Sequence, residues 1–403
     1  MEHTEIRKKF LDFLEKNGHK IMPSSSLIPE DKSVLFTTAG MQQFKPHYTN
    51  PEAAPAKNVA TIQKCLRTSD IDQVGDESHL TFFEMMGNFS FGGYGKKEAI
   101  GYAYDFITKE LGLKIEYVSV FGQDAEISSD EESESIWRSI DPALEIKRAG
   151  KTDNFWGPTG LEGPCGPTTE IYANGVEVWN IVFNEYYCSA DKSYKKLERL
   201  GVDTGMGLER LATVIQNKNN VFETDLFRLL IGLLPQELPK RTKRIIADHS
   251  RSIVFLLSDG VRPSNKDQGY VLRRFMRRIF TYIHIHNLRP DTLEELMKIV
   301  ISEYGQVYKE LSNGRDSSIN EMWAEYEKFK KTLGRGVKEL EKLEKIDSLS
   351  AFTIYESYGL PYEVIKELGG KRAKSLTREA FEVEFKKHQE KSRAGVEKKF
   401  GKQ

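Results

Sequence analysis

The sequence predicts an α+β chain: an antiparallel sheet flanked by helices over residues 1–235, then an all-α domain over 236–403. Three observations predict it. Runs rich in β-branched and aromatic residues crowd the first half with few strand–helix–strand alternations, which favours antiparallel pairing. After about Gln216 almost every segment has helical period instead. No Rossmann or Walker fingerprint occurs, so a nucleotide site would need another scaffold.

The elements follow in order. Thr4 caps an amphipathic helix whose face is Ile6, Phe10, Phe13 and Leu14, and Gly18 ends it. Residues 34–38 read as a strand. Residues 59–65 and 80–83 read as two strands joined by a polar loop, the second running on into a Phe- and Gly-rich return. Residues 96–111 are helical, and 117–121, 169–173 and 177–187 are β-rich. The acidic, serine-rich 126–135 stretch reads as a loop or a solvated helix start. A strand ending at Asp203 passes into a helix bearing Leu208, Leu211, Ala212 and Ile215. Beyond that, 244–258, 270–286, 293–311, 320–346 and 378–400 read as helices. The domain boundary falls between Asn217 and Lys240, near Pro235 and Pro239.

Bulk composition narrows the class. A chain of 403 residues exceeds one ordinary core, and 39% hydrophobic with 30% charged residues describes a globular protein. No apolar run spans a membrane and the N-terminus has no signal-peptide core, so no membrane partner and a cytoplasmic location are expected. Cys65, Cys165 and Cys188 show no CxxC spacing, and no HxxxH occurs, so neither a disulfide framework nor zinc is expected. The net charge of −1 hides an asymmetry. Residues 236–403 hold 34 Lys+Arg and 25 Asp+Glu, or +9, which leaves −10 for 1–235. A basic half suits a polyanionic partner.

Several residues carry candidate chemistry. Gly205 and Gly207 let backbone approach a ligand, and Arg210 follows in the first helical turns, where its five donors suit phosphate oxygens. Asp203 can receive an ammonium group. Arg67 lies at the mouth of a hairpin whose return strand carries Phe82, Phe83 and Phe89; such a surface suits an aromatic-stacked base and a gripped phosphate. Trp156 stands near the rigid turn Gly163-Pro164-Cys165-Gly166-Pro167. Asn180 lies amid the apolar run Val178-Trp179-Asn180-Ile181-Val182-Phe183 and needs a hydrogen-bond partner.

Together these segments resemble the alanyl-tRNA synthetases, a family of class II aminoacyl-tRNA synthetases. The first class motif is matched by Leu35-Phe36-Thr37-Thr38-Ala39-Gly40-Met41-Gln42-Gln43-Phe44-Lys45. The second is matched by Gln63-Lys64-Cys65-Leu66-Arg67, Thr81-Phe82-Phe83-Glu84-Met85 and Gly87-Asn88-Phe89-Ser90-Phe91-Gly92. The third is Asp203-Thr204-Gly205-Met206-Gly207-Leu208-Glu209-Arg210. Asp153-Asn154-Phe155-Trp156, Val178-Trp179-Asn180 and Ile246-Ala247-Asp248-His249-Ser250-Arg251-Ser252 are more particular to the alanyl family. The resemblance runs from about Thr4 to Gly401.

The resemblance implies activation of L-alanine by ATP with Mg²⁺, then transfer of alanine to the 3′-terminal adenosine of tRNA(Ala). It gives Arg67 the α-phosphate and the alanine carboxylate, and Arg210 the γ-phosphate. It lines the ATP and alanine pocket with Trp156, Val178, Trp179, Asn180, Gly205 and Gly207. Asn180 and Asp203 would orient the amino acid, and Phe83 or a neighbouring Phe would stack on adenine. No magnesium ligand is assigned. The chain departs from the family pattern at Ser69-Asp70-Ile71-Asp72, where a Gly-Lys-His-Asn-Asp-like run is usual. It departs again where two adjacent histidines are usual and this chain has His79-Leu80. His79 is the candidate left to meet ATP.

In the basic half, Arg273, Arg274, Arg277 and Arg278 lie at i and i+4 spacings, opposite Leu272, Phe275, Met276 and Ile279. Such an arginine ridge can track phosphates. The resemblance makes Asn265, in Pro263-Ser264-Asn265, a reader of the acceptor-stem G·U pair of tRNA(Ala). Its second reader is an Asp in a Tyr-Asp-x-Tyr-Gly run, where this chain has Glu356 in Tyr355-Glu356-Ser357-Tyr358-Gly359. The family usually continues into editing and C-terminal oligomerisation domains beyond the length seen here. The expectation is a monomer that mischarges serine or glycine unless a separate trans-editing protein corrects it, because one methyl or hydroxyl gives weak discrimination.

Overall fold

The computed structural model describes residues 1–403 except 70, 125, 126, 159 and 389–403. The chain divides into two compact units, Met1–Leu233 and Leu234–Gln403.

In the first unit, α1 (His3–Lys16) buries Ile6, Phe10 and Leu14. Thr4 does not cap it. The helix starts two residues earlier than such a cap implies, at His3 with Glu2 in the cap position, and the Asp225 carboxylate accepts the His3 backbone N–H at 2.7 Å. The strands are β1 (Lys20–Ile21), β2 (Asn58–Leu66), β3 (Phe82–Phe91), β4 (Tyr117–Phe121), β5 (Glu145–Ala149), β6 (Phe155–Trp156), β7 (Gly163–Ala173), β8 (Val176–Cys188) and β9 (Tyr194–Gly207). Between and after them lie α2 (Lys96–Asp105), α3 (Glu131–Ile140), α4 (Lys151–Asn154), α5 (Leu208–Ile215) and α6 (Asp225–Leu233).

The sheet order is β1-β2-β3-β9-β8-β7-β4-β5, with β6 paired to β7. Pairing is antiparallel from β2 across to β4, and parallel only at the two ends, β1 with β2 and β4 with β5. The sheet is therefore mixed. Its centre is built from hairpin-like returns, whereas β5 is reached through the α3 crossover that a parallel neighbour requires.

Two local expectations are corrected. Residues 34–38 form no strand. Their polar groups are met elsewhere: Thr37 N–H by the Leu27 carbonyl at 2.9 Å, Thr37 Oγ1 by the Ser26 carbonyl at 2.8 Å, and Thr38 N–H by Gln42 Oε1 at 2.9 Å. Gly163-Pro164-Cys165-Gly166-Pro167 is no free turn but the start of β7. Gly166 is required there, since a β-carbon would lie 1.8 Å from the Phe183 carbonyl oxygen. Of the two alternatives for 126–135, a loop or a solvated helix start, the structure has the helix start: α3 begins at Glu131, capped by Asp130, with Glu126 outside the described residues.

The second unit is helical: α7 (Lys240–Ser258), α8 (Asp267–Ile285), α9 (Thr292–Tyr304), α10 (Lys309–Asn313), α11 (Arg315–Lys342), α12 (Ser348–Tyr358) and α13 (Tyr362–Gly369). The expected 293–311 helix is broken after Tyr304 into α9 and α10. α12 and α13 escaped the periodicity. A capping box between Asp347 and Ser350 opens α12, and Gly359 at φ +76° closes it. Of the expected 378–400 helix, 378–388 is helical and 389–400 lies outside the described residues. Ile246 to Ser252 are all buried within α7, so that stretch builds core. All three cysteines are buried and unbridged. Among the described residues, no helix is long and apolar enough to cross a membrane.

Candidate functional site

Four neighbouring strands place the site in the first unit. Arg67 follows β2, with its N–H bonded to the Thr81 carbonyl at 2.9 Å, so it stands at the open end of the β2–β3 hairpin. Phe83 comes from β3, Asn180 from β8, Asp203, Gly205 and Gly207 from β9, and Arg210 from the first turn of α5. With His79 and Trp156 these residues line one cavity of about 310 Å³.

Its two guanidiniums are anchored differently. The Arg67 Nε donates to the Thr38 carbonyl at 3.2 Å, and the group lies over the Phe83 ring, 5.0 Å from its centre. Arg210 is half exposed and pairs with Glu177 at 2.9 Å. Asp203 is 5% exposed, and burial pushes its carboxyl up to about 8. A carboxyl in that state is poised for a cation. Asn180 donates from Nδ2 to Glu170 at 3.3 Å, while its buried Oδ1 accepts no hydrogen bond. Burial raises the Glu170 carboxyl too, and repulsion from Glu177 adds to this against hydrogen bonds from Tyr172 and Ser119. The cavity thus offers cationic grips, an unfilled acceptor and a proton-holding acid.

Two expected pocket residues are misplaced. Trp179 points to the other face of the sheet, fully buried and edge-on to Phe10 and Phe106 at 6.1 and 5.8 Å. Strand alternation forces this once Asn180 faces the cavity. Val178 is buried and unpaired in a β-bulge: Ile171 pairs Trp179 and Tyr172 pairs Glu177, which leaves Val178 over. The bulge resets the alternation and turns Glu177 to the cavity beside Asn180 and Val182. Asp203 is also not the strand's end, because β9 continues to Gly207. Of the three phenylalanines only Phe83 lines the cavity; Phe82 and Phe89 are fully buried.

Sequence reasoning missed Val182, Glu170, Glu177, Glu209 and Met85, which also line the cavity. Val182 was legible, two residues from Asn180 on one strand face. Leu80 lines the cavity beside His79, whose Nδ1 is bonded to Asp76.

The second unit holds a separate cleft of about 1180 Å³. Asn265, Arg273, Arg274, Arg277 and Glu356 all line it. The arginines are not a bare ridge. Arg277 donates to Glu325 at 2.8 Å, and the Arg273 Nε lies 3.2 Å from the same oxygen. Arg274 and Arg378 both bond Glu363. Burial opposes ionisation of Glu363, yet these arginines and Arg278 hold its carboxyl well below the ordinary range. Arg278, expected to align with Arg274, is buried at 1% exposure, 3.1 Å from His249. The expected arginine ridge carries its own counter-charges: α11 and α13 pack on α8 and supply Glu325, Glu363 and Glu367. Glu356 pairs with His388 at 2.9 Å.

Comparison with known proteins agrees with this architecture. The family model described as "tRNA synthetases class II (A)" matches residues 5–403. A relative from Borrelia hermsii named alanine–tRNA ligase is 40% identical over 441 residues, covering 99% of this chain and 74% of its own. Those of Thermotoga maritima and Rubrobacter xylanophilus bear the same name at 42% and 39% identity, each covering 98% of this chain. The chain spans about half the length of these last two curated relatives. A strand-built cavity lined by Arg67 of the second motif and Arg210 of the third, and a family match over nearly every residue, lead to one conclusion: the chain belongs to the class II tRNA synthetases, among the alanine–tRNA ligases.

Proposed function

We propose that this chain joins L-alanine to AMP at the cavity of the first unit and then to the 3′-terminal adenosine of tRNA(Ala). The observation that carries the reading is the convergence of Arg67, Asn180, Asp203 and Arg210 on one cavity. The Asp203 carboxylate takes the alanine ammonium, with the unfilled Asn180 Oδ1 as second acceptor. Arg67 holds the alanine carboxylate against the α-phosphate, and Arg210 leaves Glu177 to hold the γ-phosphate. Phe83 offers its ring to adenine.

A carboxylate oxygen of alanine then bonds to the α-phosphorus, and the bond to pyrophosphate breaks. Charge grows on phosphate oxygens, and guanidiniums fixed in advance stabilise it. In the second step a ribose hydroxyl attacks the alanyl carbonyl and AMP leaves. No side-chain nucleophile is needed, since the adenylate is already activated.

No group of three metal-ligating side chains occurs among the described residues. Mg²⁺ does not need one, because it is commonly held by one or two carboxylates plus phosphates. Glu170 and Glu177 fit that role: their mutual repulsion is what a cation between carboxylates relieves. When bound, Mg²⁺ neutralises phosphate oxygens.

The cleft of the second unit is read as the acceptor-stem site, with Asn265 and Glu356 facing base edges in the shallow minor groove. Alanine-dependent exchange of pyrophosphate into ATP, followed by charging of a tRNA(Ala) transcript, tests the whole reading. Absence of exchange ends the adenylate assignment. Exchange without charging ends the RNA assignment.

A further inference from the structure

We propose that Glu325 is a positioning residue for the cleft of the second unit: one buried carboxylate on α11 that orients both Asn265 and the turn bearing Glu356. This rests on the reading of that cleft as the RNA site. The Glu325 side chain is 1% exposed, and its Oε1 faces the Nε atoms of Arg277 and Arg273 at 2.8 and 3.2 Å. Each guanidinium then uses its outer nitrogens on a different side of the cleft.

Arg273 donates from Nη1 to Oδ1 of Asn265 and from Nη2 to the Pro263 carbonyl at 3.2 Å. With Oδ1 taken, the Asn265 amide presents Nδ2 as a donor. That is the polarity needed for the acceptor atoms and 2′-hydroxyls of an A-form minor groove. Arg277 donates from Nη1 to the Gly359 carbonyl at 3.3 Å, three residues after Glu356. The contact is close: a β-carbon on Gly359 would lie 2.0 Å from that nitrogen. Phe329 supports the same guanidinium, its ring centre 4.8 Å away, and Thr332 donates to the Tyr358 carbonyl at 2.8 Å. The two sides of the cleft therefore share one electrostatic anchor. Without its charge, two neighbouring guanidiniums repel, Asn265 is free to flip, and the Glu356 turn loses its strut.

The test uses the full chain with Glu325→Gln and Glu325→Asp. Alanylation is measured on two acceptor-stem hairpins that differ only in a G·U or G·C pair, alongside alanine-dependent pyrophosphate exchange. Glu325→Gln is expected to keep its exchange rate while its G·U preference in kcat/KM falls about tenfold, the order of one misread pair. Glu325→Asp, which restores the charge, is expected to lose less. An unchanged preference in the Gln variant overturns the proposal. If the Gln variant does not accumulate folded, the double variant Arg273→Lys, Arg277→Lys decides: it keeps both charges but removes the forked contacts to Asn265 and Gly359, so a fallen preference supports the proposal and an unchanged one overturns it. Asn265→Ala and Glu356→Ala separate the two levels. If neither alters the preference, the reading of the cleft itself fails. If they abolish it and Glu325→Gln does not, only the anchoring role fails.

Discussion

If Asp203 takes the alanine ammonium as proposed, its burial makes alanine binding depend on pH. Burial pushes the carboxyl up to about 8, with no pairing cation among the described residues. At pH 7 about one-tenth of such groups are ionised. If alanine's ammonium needs the carboxylate, its apparent Kd at pH 7 is weaker by about tenfold than at high pH. Affinity should then improve about tenfold per pH unit between about 6 and 8 and level off above. Calorimetry near pH 6.5 in buffers of different ionisation heat should register about one proton released per alanine bound. The same carboxyl affects folding without ligand. It titrates higher in the folded chain than in the unfolded one. Its stability contribution is therefore full below about 4 and is lost as pH rises toward 8, on the order of 5 kcal/mol in all. Unliganded Asp203→Asn should accordingly resist urea better than the parent at pH 8 and show a flat alanine profile. A parent affinity that stays level from pH 6 to 8 with no proton release refutes the ammonium assignment. An Asn variant no more stable at pH 8 refutes the buried unpaired carboxyl.

Three further outcomes test other parts of the first unit. On the proposed role of Arg67 against developing charge, Arg67→Ala should lower alanine-dependent pyrophosphate exchange by about 10²–10³-fold with a nearly unchanged urea midpoint. Leu80→His should lower the KM for ATP by about tenfold, the worth of one added hydrogen bond to a charged group; an unaltered KM would mean that this position does not meet the nucleotide. Trp179→Ala should cost about 3–5 kcal/mol of stability in urea while the folded fraction keeps its KM for alanine, since the indole packs on Phe10 and Phe106 behind the sheet.

Local sequence patterns carried a good part of this. The β2–β3 hairpin, Arg67 at its mouth and the passage from Asp203 to Arg210 could be read because each sits within one short segment. Strand alternation alone, applied to the run from Val178 to Phe183, would have separated Asn180 and Val182 from Trp179. The bulge at Val178 could not be read so easily. It exists because β7 and β8 drift out of register between Ile171 and Tyr172, a relation between strands rather than a pattern within one. The α8 arginines show the same limit. Their i and i+4 spacing put Arg273, Arg274 and Arg277 along one cleft, but their carboxylates come from 48 to 89 residues away. A charge count along the sequence therefore shows the arginine ridge without the acids that pair with it. Residues 34–38 suggest a strand through Val34 and Phe36, while the acceptors that decide otherwise, on Leu27, Ser26 and Gln42, lie outside that window.

The pairing of Arg273, Arg274 and Arg277 with internal acids also bears on ionic strength. Glu325 and Glu363 offset part, not all, of the charge of Arg273, Arg277, Arg274 and Arg378, so the cleft gathers fewer small ions than four bare guanidiniums, and a polyanion entering it would displace fewer. The logarithm of its association constant should then fall with the logarithm of salt less steeply than four bare arginines would require. A surface so offset has a weaker pull on polyanions in general than its count of arginines suggests.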